Sequence, residues 1–416
     1  MKRHIFLFFF LCLTGIAFGQ DHHPNRCNTT EYNEKIYSAK PQSRLQHELL
    51  KYKIEQILLQ KNTALDSSSI TIPVVVHVVY HTEAENISDA QIYSQIDVLN
   101  EDFRRMNADS VNTPSMFKSL AADCSIEFCL AKRNMDTVTS TGIERYQTSV
   151  LAFPMDNSMK SSMTGGLDAW DPDKYLNLWV CNMAGNVLGY AQYPGGTDST
   201  DGVVIHYYNF GRIGDLDPHY NLGRTATHEI GHWLDLYHIW GDDFGSCDGT
   251  DYVDDTPNAK DANYYCPNHP RLTICNSTGE MFMNYMDYSD DDCLNTYTHG
   301  QRDRMWAAIF AGRPGLLTSD GCSPIIGIEE NEWLQEVRIF PNPGKGIFNI
   351  QARLKHPMAV HLRVTDILGN IVLQQEFTAE QSAEMSLNLT GNPNGLYFLQ
   401  MISAAGSHSE KILLSH

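Results

Sequence analysis

The stretch Thr227-His228-Glu229-Ile230-Gly231-His232-Trp233-Leu234-Asp235-Leu236-Tyr237-His238 constrains this chain more than any other. Helical residues advance about 100° each, so His228 and His232 stand one turn apart on one face, where two imidazoles can grip one tetrahedral zinc. Glu229 falls beside that face, placed to take a proton from a metal-activated water and pass it to a leaving amine. His238 is too far along to share the face of a continuing helix. A sharp turn near Asp235 would bring it round as a third ligand, and Asp is among the few residues besides Gly that tolerate left-handed backbone. The five-residue motif alone also fits a surface helix with satisfied histidines. The third histidine and the apolar Ile230, Trp233, Leu234 and Leu236 argue against that reading.

The N-terminus fixes the compartment. Met1-Lys2-Arg3-His4 is basic, Ile5 to Phe18 is almost unbroken apolar sequence, and Ala17-Phe18-Gly19 supplies small residues before Gln20. Residues 1–19 therefore read as a secretory signal peptide, too short for a membrane span. No other apolar run of about twenty residues occurs, so no transmembrane anchor is expected. Of the 10 cysteines, Cys12 leaves with the leader. Disulfides are expected in an exported chain, and the odd remainder leaves at least one thiol over. With 30 Lys and Arg against 50 Asp and Glu, the net charge of −20 repels phosphate backbones and excludes nucleic acid as a partner.

Residues 20–68 are polar, with a helical pattern around Leu45, Leu49, Leu50, Ile54, Ile57 and Leu58 and a linker-like end at Asp66-Ser67-Ser68-Ser69. They read as a pro-segment, or as an N-terminal decoration of the fold. Residues 69–325 carry the β-branched strand Ile72 to Tyr80, a helix opened by Ser88, strands at 126–130, 176–181 and 202–207, the histidine helix, and an amphipathic helix at 301–310. This is an α+β domain with a mixed twisted sheet. Residues 334–416 alternate short strands with turn signals and predict a small all-β sandwich.

These motifs together resemble the metzincin zinc metallopeptidases of the pappalysin family, its bacterial members in particular, over roughly residues 70–320. The departure is Asp235, where the family usually has Gly. The resemblance implies that Met286, in Asn284-Tyr285-Met286-Asp287-Tyr288, is the hydrophobic floor under the metal, and that the Tyr288 hydroxyl steadies an oxyanion. It implies two disulfides, Cys247–Cys275 and Cys266–Cys293, although four cysteines alone allow three pairings. The acidic loop 241–257 is either solvated or a calcium site; the resemblance favours calcium, with Asp251, Asp254 and Thr256 as ligands. Cys27 would silence the precursor as a zinc-bound thiol, or else pair with Cys124 or Cys322. An Asp before a disulfide cysteine forms the base of the pocket for the residue after the cut, which points to Asp292; the alternative is a solvated Asp290-Asp291-Asp292 turn. Phe340-Pro341-Asn342-Pro343, Asp366-Ile367-Leu368-Gly369 and Asn394-Gly395-Leu396-Tyr397-Phe398-Leu399 resemble a type IX secretion C-terminal sorting domain, or an ordinary substrate-binding module.

The expectation is a secreted or surface-held zinc endopeptidase, made as a latent zymogen. It would cut protein and peptide substrates on the amino side of Arg and less readily of Lys, because a carboxylate meets Arg with two parallel hydrogen bonds and Lys with a point charge. Zinc would be catalytic and calcium structural. The rival readings are a binding protein with zinc as a staple, and a zinc hydrolase acting on a non-peptide bond.

Overall fold

The computed structural model describes residues 25–60, 69–136, 138–242, 245–324, 333–367, 369–379, 382–403 and 406–415. The leader at 1–19 and the linker at 61–68 lie outside the described residues. Two compact units divide near residue 325.

The first unit is built on β2 (Ile70–Tyr80), whose valine-rich run is buried almost throughout because it has sheet neighbours and cover on both faces. It pairs in parallel with β3 (Ile126–Leu130), β4 (Ile143–Gln147) and β5 (Leu176–Cys181). Beyond β5 come β7 (Val203–His206), parallel, and then β6 (Val187–Ala191), antiparallel to β7. The outermost strand is β1 (Asn25–Cys27), which runs parallel to β6, with Asn25 opposite Val187 and Cys27 opposite Gly189. Helices cover both faces of the sheet. Helix α3 (Asp89–Phe103) starts at Ser88, whose hydroxyl accepts the Gln91 N–H at 3.2 Å. Its Ile92, Leu99 and Phe103 join Val74, Val76 and Val78 in the main core, as do Ala226, Ile230 and Trp233 of α4 (Arg224–Trp233). On the opposite face Val79, Trp179, Tyr190 and Val204 enclose Tyr32 from α1 (Thr29–Ala39). Helix α2 (Pro41–Leu59) lays Leu50 and Ile54 on Ala307 and Ala308 of α5 (His299–Gly312).

Disulfides join Cys247 to Cys275 and Cys266 to Cys293, and a third closes Cys129 on Cys322, 193 residues away. The second unit holds two antiparallel sheets. One is ordered β11 (Ile371–Ala379), β10 (Met358–Thr365), β13 (Gly395–Ser403), β14 (Gly406–Leu414); the other β12 (Ser382–Asn388), β9 (Ile347–Leu354), β8 (Leu334–Phe340). Strict alternation in β9 sends Phe348, Ile350, Ala352 and Leu354 inward against Val360, Leu362, Leu399 and Met401. The α+β class with a terminal β-sandwich is therefore observed. No described helix is long and apolar enough to cross a membrane.

Candidate active site

Helix α4 ends at Trp233, with Leu234 as its cap, and the chain then turns sharply. Asp235 takes φ +69°, and the Leu236 N–H returns to the Gly231 carbonyl at 2.9 Å. The aspartate is more than a glycine substitute here. Its carboxylate takes Arg304 of α5 at 2.6 Å and His47 of α2 at 3.2 Å, tying both to the turn. The chain thus doubles back and delivers His238 beside His228 and His232.

Each of the three imidazoles has its Nδ1 proton held by a fixed acceptor. His228 donates to the Tyr285 carbonyl (2.7 Å), His232 to the Leu236 carbonyl (2.8 Å) and His238 to Asp242 (2.8 Å). The Nε2 lone pairs are left facing one another, with His232 3.1 Å from both His228 and His238. Burial, and then the imidazoles of His232 and His238, hold His228 well below the ordinary histidine range, and burial with the His238 imidazole does the same for His232. Three converging Nε2 lone pairs repel unless a cation sits among them, and with the Cys27 Sγ they form a four-atom group spanning 4.8 Å. This donor set fits tetrahedral zinc.

Met286 is fully buried beneath the helix, and a Cβ added to Gly231 would come within 2.5 Å of its Sδ. Tyr288 stacks edge-on against His238 (5.0 Å) and donates its hydroxyl to the Cys27 carbonyl at 3.0 Å. Glu229 lies under Gly189 of the rim strand, where an added Cβ would stand 2.9 Å from its Cγ. Burial pushes Glu229 up to about 8, against the opposing pull of hydrogen bonds from Thr29 and Cys27 and the charge of Arg26.

β1 and the residues that follow it grip this site at four points, most of them unannounced by the sequence. Cys27 is buried, with its thiol 3.4 Å from Glu229 Oε2; burial, then the Glu229 charge, raises it well above the ordinary thiol range. The disulfide alternative falls away, since Cys322 is bound to Cys129 and Cys124 is a free, buried thiol. Thr29 donates to Glu229 Oε2 at 2.8 Å and accepts the Ala191 N–H at 2.8 Å. Thr30 donates to Asp242 at 3.0 Å, behind His238. Arg26 is fully buried; it donates to the Ser289 carbonyl, reaches Asp291 at 3.4 Å and lies 5.0 Å over the Tyr220 ring.

The carboxylate that Arg26 reaches is Asp291, one residue before the expected Asp292. Asp292 is exposed, whereas Asp291 is buried and also accepts the N–H groups of Leu222 (2.9 Å) and Arg224 (3.2 Å). In the turn before Cys293 the inward position is 291. In the acidic loop, Asp251 and Thr256 meet, with the threonine hydroxyl donating at 2.5 Å, and burial pushes Asp251 up to about 7. Asp254 is exposed, and Asp255 caps α5 through the Gly300 N–H at 2.9 Å.

A histidine helix under the rim of a mixed sheet, a third histidine past a left-handed turn and a methionine turn below are the architecture of a metallopeptidase. Relatives agree. A family profile described as pregnancy-associated plasma protein-A matches residues 161–310, and one described as a secretion system C-terminal sorting domain matches 338–415. An extracellular metalloprotease of Pyricularia oryzae is 34% identical over 259 residues, 60% of this chain and 77% of that one. Among solved structures, a Tannerella forsythia promirolysin mutant superposes with TM-score 0.65 at 48% identity, over 70% of this chain and 97% of that one. Mature mirolysin in complex with a cleaved peptide gives 0.57 at 57% identity, over 57% of this chain and 91% of that one. The chain belongs to the pappalysin family of metallopeptidases, and it carries a type IX secretion sorting tail.

Proposed function

We propose that this chain is a latent zinc endopeptidase whose residues 20–68 are the pro-segment and whose mature form cuts on the amino side of Arg. His228, His232 and His238 would hold the zinc. When bound, zinc supplies Lewis acidity that polarises a scissile carbonyl and acidifies water. Glu229, in a dry pocket and raised toward neutrality, suits general base and then acid. The Tyr288 hydroxyl, freed of the Cys27 carbonyl, is the nearby donor for an oxyanion.

The observation that carries the reading is the pair Arg26-Cys27: guanidinium on buried Asp291, thiol among the histidines. A dication there favours the thiolate and so opposes the effect of burial. The order of the pair also gives a direction. Cys27 follows Arg26, whereas a bond cut on the amino side of Arg precedes it. A substrate that puts its Arg on Asp291 and its scissile carbonyl at the histidines must therefore run antiparallel to β6, opposite to β1. A pro-segment laid in reverse fills the cleft without offering a cleavable bond, and Thr29 occupies the base meanwhile. Asp251, with Asp254 and Thr256 in the same loop, is the proposed calcium site; a buried carboxylate raised to about 7 is the kind a hard cation would relieve.

A cleavage profile of the mature enzyme on a peptide library tests this. Arg should dominate the position after the cut, with Lys behind it. Asp291→Asn should lower kcat/KM for Arg peptides by roughly 2–4 kcal/mol while Asp292→Asn changes little. Equal cutting before Leu and Arg, or cuts after Arg, would remove the assignment.

A further inference from the structure

The rim strand β6 does not end at the pocket that holds Arg26. Beyond Val187, the partner of Asn25, the surface opens into a cavity of about 530 Å³, lined among others by Gly185, Asn186, His206, Asn209, Asp215 and Asp217. Three features indicate what it takes. Asn209 is 2% exposed and its Nδ2 has no hydrogen-bond partner among the described residues, a buried donor awaiting an acceptor. Asp215 and Asp217 bring two carboxylates to the wall, and the neighbouring cations are engaged elsewhere, Arg212 on Glu101 at 2.7 Å and His219 on Asp290 at 2.8 Å. Burial holds His206 down to about 4, so its ring is neutral near pH 7 and does not repel a cation.

Position along a bound chain follows from the strand. Side chains alternate faces, so the residue two places beyond an Arg in the Arg26 pocket points to the same side. That side is the loop which carries Tyr220 against Arg26 and, a few residues earlier, Asp215 and Asp217. We infer that this cavity is a second cation-binding subsite: it takes a Lys or Arg side chain at the third residue after the cut, with Asn209 donating to a backbone carbonyl of the bound chain. The inference rests on the antiparallel binding direction proposed above.

The test holds Arg after the scissile bond and varies the third residue after the cut, using the mature enzyme and peptides with Lys, Arg, Ala or Glu there. Lys and Arg should exceed Ala in kcat/KM by about three- to fivefold at low salt, Glu should fall below Ala, and the spread should shrink as ionic strength rises. The isosteric double variant Asp215→Asn/Asp217→Asn should erase the spread. Asn209→Ala should raise KM for all four peptides alike. A flat profile in the parent, or a spread that survives in the double variant, overturns the subsite. A library that shows no Arg preference, or cuts after Arg, overturns the underlying direction instead, and the two failures are read from different positions of the peptide.

Discussion

The two units solve the same folding problem with opposite materials. In the second, no polar or charged side chain among the described residues is buried, and its core is alternation carried to completion, Phe348 and Ile350 against Val360 and Leu362. In the first, buried charges reach across the chain: Arg26 to Asp291, Arg304 to Asp235, Arg313 to Asp201 at 2.8 Å. Ionic groups taken out of water add little net stability even when paired. Arg26–Asp291 beside the histidines and Arg304–Asp235 at the turn that returns His238 mark a region shaped by chemistry rather than by stability, whereas the sandwich core is built by packing.

The largest test of that contrast is Glu229→Ala. Turnover should fall on the order of 10²–10⁴-fold or more, with zinc content by metal analysis and melting temperature both preserved in the mature enzyme, because the partners of Glu229 Oε2, Thr29 and Cys27, belong to the proposed pro-segment and Oε1 has none among the described residues. A variant that unfolds like a core lesion would break the comparison. Leu362→Ala is the reciprocal probe: it should destabilise the sandwich by about 2–5 kcal/mol in denaturant titration and leave kcat unchanged. A proportional loss of kcat would mean the units are not separable in function.

Lys160 sharpens the contrast through pH. It is fully buried over Trp179 and donates to Tyr32 and the Thr200 carbonyl, and burial brings it down to about 7. The unfolded side chain titrates near ~10.4. Between those values the denatured chain binds more protons, so unfolding free energy rises with pH from about 7 toward 10 and has no slope from this group below 7. Lys160→Met should therefore exceed the parent most at pH 7 and lose on the order of 2 kcal/mol of that advantage by pH 9.5. A constant gap would assign the lysine no such role. Smallest of the four, a calcium-selective chelator at fixed zinc should lower the first unit's transition by roughly 3–5 °C and leave the sandwich's in place; an unmoved first transition removes calcium from the acidic loop.

Much of the site was legible because its signals are local. His228 and His232 announce themselves by helical spacing, β2 by its valines, and the need for a turn at Asp235 by the offset of His238. Met286 and Tyr288 were read through family resemblance. What stayed hidden depends on distant partners or on the direction of one side chain. Thr29 meets Glu229 across 200 residues, and β1 is three residues long, too short for any period to show. Asp291 and Asp292 differ only in which way a turn faces, and three consecutive aspartates carry no pattern that reveals it. Arg26 could have been suspected as the basic neighbour of Cys27, since the predicted pocket was acidic.

A strand at the margin of a sheet that takes its guest by backbone pairing selects shape before it reads side chains. In the proposed mature form, without residues 25–27, β6 would present a bare ladder that only an extended segment can join. An arginine inside a folded helix cannot be drawn into the cleft without first unravelling several residues around it, at about 1–2 kcal/mol each. On the arginine preference proposed above, native globular proteins should survive this enzyme except in their linkers and frayed ends, whereas denatured chains should be cut at every accessible arginine.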